Sequence, residues 1–235
     1  VTSTDRSELT ANIFNRWLFG FGGEVLDPAG KVIVNNEAGV RALSWFKKMV
    51  DDGVMPPGFA FRDQYNLMVN HQAGGFSDGS YARDVLRILS GKGKEFDKDF
   101  AVGMVPTGDT GKGEAIFHHH ALVLFKQSKH KDVATKFIEF LSRDPKITKM
   151  YYQMSSLMPL SKSALADPVY SEDAFAKTFV AQLPLARLYA ISRTPQYAAA
   201  ADFVALAVSK AIGGGDPKAA LDEAAQNLKI IYGQK

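Results

Sequence analysis

At 235 residues, with 46% hydrophobic and 23% charged side chains, the chain has the profile of an ordinary soluble globular protein and length for one large domain or two small ones. Its net charge of +3 comes from Lys and Arg spread along the chain, which argues against a dedicated nucleic-acid surface. The absence of cysteine excludes disulfides, iron–sulfur clusters, thiolate zinc and a cysteine nucleophile, and no apolar run approaches the roughly 20 residues that span a bilayer.

The chain opens at Val1 directly into polar "VTSTDRSELT", with no signal peptide, so the expectation is a mature, truncated or cytosolic chain. "DPAGKVIV" predicts a turn over Asp27 to Gly30 and then a short strand. The first clear helix is "NNEAGVRALSWFKKMVDDG". Asn35 or Asn36 can cap it, Val40, Leu43, Phe46 and Val50 follow at helical spacing, and Gly53 suits the position past its end. "MPPGFAFRDQ" reads as a loop, because paired prolines cannot continue a helix. "FAVGMVPTG", from Phe100 to Gly108, is an apolar strand candidate, followed by the glycine-rich loop "TGDTGKGE". Ala115 to Phe125 is the longest strand candidate, with β-branched and aromatic residues and neither proline nor glycine.

"DVATKFIEFLSRDP" predicts a second helix with Ala134, Phe137, Ile138 and Leu141 on one face and Pro145 as its stop. A third runs through "TPQYAAAADFVALAVSKAIGGG", with Thr194 as cap and Pro195 first inside. A fourth is "DPKAALDEAAQNLKIIYG", with Asp216 as cap and Leu221, Leu228 and Ile231 on its apolar face. No repeat or low-complexity tract interrupts the alternation of helices and short strands, which argues for the α/β class.

The chemistry-bearing stretches are few. In "FHHHALVLF", strand alternation sends His118 and His120 to one face and His119 to the other. Two same-face histidines fall short of the three or four ligands zinc takes, and no acidic cluster completes the set, so no metal is assigned. The plainer reading has two histidines half-buried and the third lining a cleft. "GGFSDGSYARD" offers Asp78, Ser80 and Tyr81 beside glycines that bring the backbone close, a combination suited to a sugar; a strand-to-helix turn capped by Asp78 or Ser80 is the competing reading. "TGDTGKGE" lacks the spacing of a phosphate loop. Arg193 stands before a helix amino end, where an anion or polar ligand sits well, and a solvated arginine is the alternative. No serine has the nucleophile-elbow context and no catalytic constellation emerges, so the chain reads as a non-enzyme without cofactor.

Taken in order, "NRWLFGFGGEVLDPAGKVIVNNEAGVRAL", "DDGVMPPG", "FAVGMVPTG", "FKQSKHKDVATKFIEFLSRDP", "LMPLSKSAL" and "GGGDPKAALDEAAQNLKIIY" resemble the extracellular solute-binding proteins, family 1, the sugar-type, maltose-binding-protein-like substrate-binding components of ABC importers. The resemblance implies the type II periplasmic-binding-protein fold, with a mixed sheet flanked by helices in the lobe: two α/β lobes joined by crossing segments, closing on a carbohydrate and then docking on the permease. It places the chain outside the cytoplasm, periplasmic or extracytoplasmic, and at the membrane only through the permease. It assigns residues 1–119 and 164–235 to the carboxy-terminal lobe and 120–163 to an amino-terminal lobe whose remainder is absent, which would leave Phe137, Phe140 and Leu141 partly exposed. It implies ligand-side roles for Tyr81 as a stacking ring, for His119 where relatives carry glycines or small residues, for Asn12, Asn15 and Trp17, and for Arg193. Alternatives are a polyol or sugar-phosphate ligand met by Arg193 and the histidines, a metal-dependent enzyme built on the histidines, and a lone lobe acting as an interaction module that dimerises through its exposed helix face.

Overall fold

A computed structural model describes residues 4–159 and 161–234; Val1, Leu160 in the middle of "LMPLSKSAL", and Lys235 lie outside the described residues. Along the chain come α1 (Glu8–Gly20), α2 (Glu37–Asp51), α3 (Asp63–Val69), α4 (Ala82–Leu89), β1 (Ala115–Ile116), α5 (Lys131–Arg143), α6 (Pro145–Ser155), α7 (Pro168–Ser171), α8 (Ala174–Gln182), β2 (Ala186–Arg187), α9 (Tyr197–Ile212) and α10 (Pro217–Ile231). The chain packs as two compact units. Unit 1 holds Val1–Ser77, Val105–Phe117 and Pro184–Lys235; unit 2 holds Asp78–Met104 and His118–Leu183. This partition differs from the expected 120–163 segment: residues 78–104 pack with unit 2, and the return to unit 1 comes at Pro184.

Unit 1 is built on α1, α2, α9 and α10. Apolar residues at helical spacing turn Phe14 and Leu18 of α1, Leu43 and Phe46 of α2, Val204 and Val208 of α9, and Leu221 and Leu228 of α10 into one core. The alanines of α9 remove side-chain bulk; Ala200, Ala201, Ala205 and Ala211 are buried there, which lets α1 and α10 approach closely. Asn36 caps α2 by accepting from the Gly39 N–H, and Asp216 caps α10 by accepting from Ala219, as the sequence predicts. Thr194 does not cap α9. Its hydroxyl is spent on the Ile191 carbonyl of the preceding 3-10 turn, and α9 starts three residues later, at Tyr197. The Asp27 turn forms with Asp27 Oδ1 accepting from Ala29 and Lys31 and with Gly30 at φ +83°, but the strand after it reduces to a single antiparallel bridge, Leu26 to Val32.

The larger corrections concern the strands. Among the described residues the sheet is one parallel pair, β1 with β2, in register Ala115 to Ala186 and Ile116 to Arg187. Residues 100–108 form no strand, and the 115–125 strand stops at Ile116. The α/β class holds, yet a strand exists only where another backbone supplies a run of donors and acceptors; beyond the Phe117 N–H bond to the Arg187 carbonyl, no further residue of these stretches lies in a strand. Gly108 instead lies so close to α1 that a Cβ there would overlap the Gly20 carbonyl, and Asp109 pairs with Arg41, which seats the 105–113 loop on unit 1.

Unit 2 has a small core of Tyr152, Tyr170 and Ala176, with Met158 and Val169 against it. Its α5 buries no residue: Phe137 is 59% exposed and Phe140 49%, and Phe125 in the preceding extended segment is 72% exposed.

Candidate functional site

The sequence-predicted residues fall into two groups, one in each unit. In unit 1, Asn12 is 6% exposed and its amide lies 3.4 Å from the Tyr197 hydroxyl. That hydroxyl is the centre of a polar cluster: it donates to the Glu8 carboxylate and accepts from the Tyr189 hydroxyl at 2.6 Å. Burial first, then the hydrogen bond to Glu8, holds the Tyr197 phenol well above the ordinary tyrosine range, so it is a neutral donor at any physiological pH. Asn15, one turn further along α1, is 0% exposed, and neither its amide nitrogen nor its amide oxygen has a hydrogen-bond partner among the described residues. An orphaned buried amide is rare and calls for an explanation. Trp17 is half-buried and stacks on Trp45 at 4.6 Å between ring centroids, with its indole N–H enclosed and without an acceptor among the described residues. Arg193 is exposed, at the end of the 3-10 turn that precedes α9.

In unit 2, Asp78, Ser80 and Tyr81 form the turn that enters α4. The reading of Asp78 or Ser80 as its cap does not hold: Tyr81 occupies the cap position and makes no side-chain cap bond, while Asp78 Oδ1 accepts from the adjacent Gly79 N–H at 2.7 Å. A Cβ on Gly79 would lie 2.8 Å from the Tyr81 ring, so glycine is what lets the ring fold back over the turn. Ser80 is buried, and Asp78 and Tyr81 are half-buried. His118, His119 and His120 are all exposed, because the strand expected to bury two of them does not form. Among the described residues no group of three or more His, Asp or Glu is placed to hold a metal ion.

Sequence reasoning missed the buried charged group that follows the turn. Arg83, one residue into α4, is 6% exposed. It donates to Ser156 Oγ at 2.8 Å, Asp173 Oδ2 at 2.7 Å and Tyr152 Oη at 3.0 Å, and its guanidinium lies 4.3 Å from the Phe175 ring centre. Tyr152 donates in turn to Asp173 at 2.6 Å. Burial, then the bond to Asp173, pushes Tyr152 up to about 12. Burial alone would raise Asp173, but the Tyr152 and Arg83 hydrogen bonds outweigh it and hold that carboxyl below its ordinary value. Arg83 thereby joins α4 to the end of α6 and the start of α8. Nothing in the residue pattern marked it, since an arginine on an amphipathic helix usually faces water.

Comparison with known proteins gives these residues a context. The profile of the family described as bacterial extracellular solute-binding protein matches residues 3–178. A binding protein of Brucella abortus (strain 2308) is 26% identical over 218 residues, covering 91% of this chain and 51% of the relative. Among solved structures, the maltose-bound T. maritima MalE3 superposes with a TM-score of 0.86 at 23% identity, over 98% of this chain and 60% of that one. The GacH receptor of Streptomyces glaucescens, studied with acarbose, gives 0.79 at 22% identity, over 99% and 58%. A sugar transporter protein of Arthrobacter chlorophenolicus with bound laminaribiose gives 0.78 at 18%, over 98% and 59%. At these identities the likeness speaks for the fold, the type II periplasmic-binding-protein α/β architecture. The chain spans about half the length of the curated relatives it matches, 51%.

Proposed function

We propose a function on the premise that this chain belongs to the bacterial extracellular solute-binding proteins, as its match over residues 3–178 establishes. Within that family it is read as part of the periplasmic or extracytoplasmic substrate-binding component of an ABC importer. It binds a carbohydrate and delivers it to the permease, and it does no chemistry on it. No helix of the described residues is long and apolar enough to cross a membrane, which fits a component that meets the membrane through a partner.

The observation that carries the carbohydrate reading is the turn at Asp78, Ser80 and Tyr81, where the Tyr81 ring folds back over Gly79 and the Asp78 carboxylate accepts from the same glycine's N–H. Such a set offers a face for a sugar ring and acceptors for its hydroxyls. From unit 1, Asn12, Asn15, Trp17 and Arg193 are the proposed contributors, with His119 from the segment that leaves unit 1 after Phe117. Titration calorimetry against neutral mono- and oligosaccharides tests this, with sugar phosphates as the second arm. Tyr81→Ala should weaken binding about 3- to 10-fold, from the loss of a stacking contact of about 0.5–1.5 kcal/mol, and His119→Ala should weaken it while leaving the fold intact. Binding that neither substitution changes removes both residues from the site.

The exposed apolar face of unit 2 supports a second part of the reading. Phe125, Phe137 and Phe140 form the kind of surface that a partner covers, and the half of the relatives' length that this chain does not span supplies an occupant, the missing amino-terminal lobe. The intact mass of the natural gene product tests this. A mass well above 25.7 kDa agrees with it; a mass equal to that of the 235-residue chain overturns it and makes a self-associating lone unit the better account.

A further inference from the structure

Helix α1 carries a polar stripe as well as an apolar one. Glu8, Asn12 and Asn15 follow at steps of four and three, which puts them on one face, while Phe14 and Leu18 enter the core from another. Against Asn12 lie Tyr189, 3% exposed and just before the 3-10 turn, and Tyr197, the first residue of α9; their ring centres are 5.9 Å apart. Glu8, Asn12, Tyr189 and Tyr197 all belong to unit 1.

The direction of hydrogen bonding in this group follows from its protons. A phenol has one to give and a carboxylate has none. Burial raises the Tyr189 phenol, as it raises that of Tyr197, so each keeps its proton; the Asn12 amide pulls both down against that burial, as a donor does. Tyr189 donates to the Tyr197 oxygen at 2.6 Å, and Tyr197 donates to Glu8. The Asn12 amide nitrogen and oxygen both lie 3.4 Å from the Tyr197 hydroxyl. With the Tyr197 proton committed to Glu8, only the contact from the nitrogen can be a hydrogen bond, made to the second lone pair of the phenol oxygen. The amide is thereby oriented, and its Oδ1 takes no proton from Tyr197.

We propose that Tyr197 is a positioning residue: by passing its proton to Glu8 it fixes the Asn12 amide with the nitrogen turned to the phenols and Oδ1 kept as an acceptor for a ligand hydroxyl. The ligand's part in this rests on the carbohydrate reading, whereas the orientation of the amide is a property of the chain alone. A hydroxyl donor, as on a neutral sugar, matches such an oxygen. A phosphate dianion brings only acceptors, and it meets the Glu8 carboxylate, which is exposed, besides. The relay therefore selects a neutral polyhydroxy ligand over its phosphate.

The test begins without ligand, on the isotope-labelled 235-residue chain. The Asn12 side-chain amide, assigned by its loss in Asn12→Ser, should give two proton signals with a heteronuclear NOE close to that of the α1 backbone. Tyr197→Phe removes the phenol and should lower that NOE. Glu8→Gln, at an exposed position, lets the Tyr197 proton turn to Asn12 Oδ1 and should shift the same two signals. Asn12 signals that stay unchanged in either variant overturn the proposal, and Glu8→Gln decides alone if Tyr197→Phe does not fold. Calorimetry then uses maltose, laminaribiose and maltose phosphate. Tyr197→Phe should weaken binding of the neutral sugar about 2- to 10-fold, the range of one hydrogen bond, but by less than about twofold on top of Asn12→Ala. Equal weakening on top of Asn12→Ala, or tighter binding of the phosphate than of either neutral sugar, overturns it. A wild-type chain that binds none of the three counts against the carbohydrate reading, and the amide spectra still decide the positioning.

Discussion

Replacing Arg83 with methionine is the sharpest test of how unit 2 is held. Methionine keeps much of the stem's packing and removes the guanidinium, and with it the three hydrogen bonds to Ser156, Asp173 and Tyr152. The Arg83 side chain is 7% exposed, so this is a buried pair losing one partner, a loss that typically costs about 3–5 kcal/mol. Two features pull the value to the low end. Asp173 keeps its bond from Tyr152 and is 28% exposed, and Ser156 keeps its bond to Asp84. The expected loss is about 3 kcal/mol, which at a slope near 2 kcal/mol/M moves a urea midpoint down by about 1–2 M. The assay separates the units, because Trp17 and Trp45 are the only tryptophans in the sequence and both lie in unit 1. Urea melts followed by far-ultraviolet circular dichroism should show an earlier transition for the helices of unit 2, while tryptophan fluorescence keeps its midpoint. A dichroism curve that does not move, or a fluorescence midpoint that falls equally, would refute the account of Arg83 as an anchor internal to unit 2.

Asp173→Asn should act on the same network through pH. Its folded value lies below its unfolded one, so its stabilisation is present above the ordinary carboxylate pKa and lost as pH falls through the lowered value; acid titration by circular dichroism should show that limb shrink in the variant. Asn15→Leu replaces an enclosed amide that has no partner among the described residues, and should raise unit-1 stability, read from the fluorescence melt, by about 1–2 kcal/mol while weakening sugar binding; a drop in stability would mean the amide is satisfied within the fold. Gly108→Ala should lower that stability by about 1–3 kcal/mol, since the added methyl overlaps the Gly20 carbonyl and forces the loop off α1. Tyr197→Phe should cost about 1–2 kcal/mol below pH 10, and in the wild type the ultraviolet phenolate titration should contain a component well above the ordinary tyrosine range that the variant lacks.

What the sequence determined by itself is the local part of the fold. Apolar spacing and caps are written within a few residues of where they act, so α2 with Asn36 and α10 with Asp216 stand where the pattern places them. The ordered run of weak motifs was also enough to identify the family. The sequence could not determine pairing. "FAVGMVPTG" and "FHHHALVLF" carry strand-forming residues, but a strand is a relation between two backbones, and beyond the Phe117 N–H bond to the Arg187 carbonyl neither stretch lies in a strand. Nor could it show that the Tyr197 hydroxyl gathers Glu8, Asn12 and Tyr189, or that Arg83 is buried against residues more than sixty positions away. Those groups are ordinary in sequence and become special only when packing removes water from them. Tertiary structure decides the chemistry there because the energy of a charge or a hydroxyl depends on what surrounds it, and its surroundings come from distant parts of the chain.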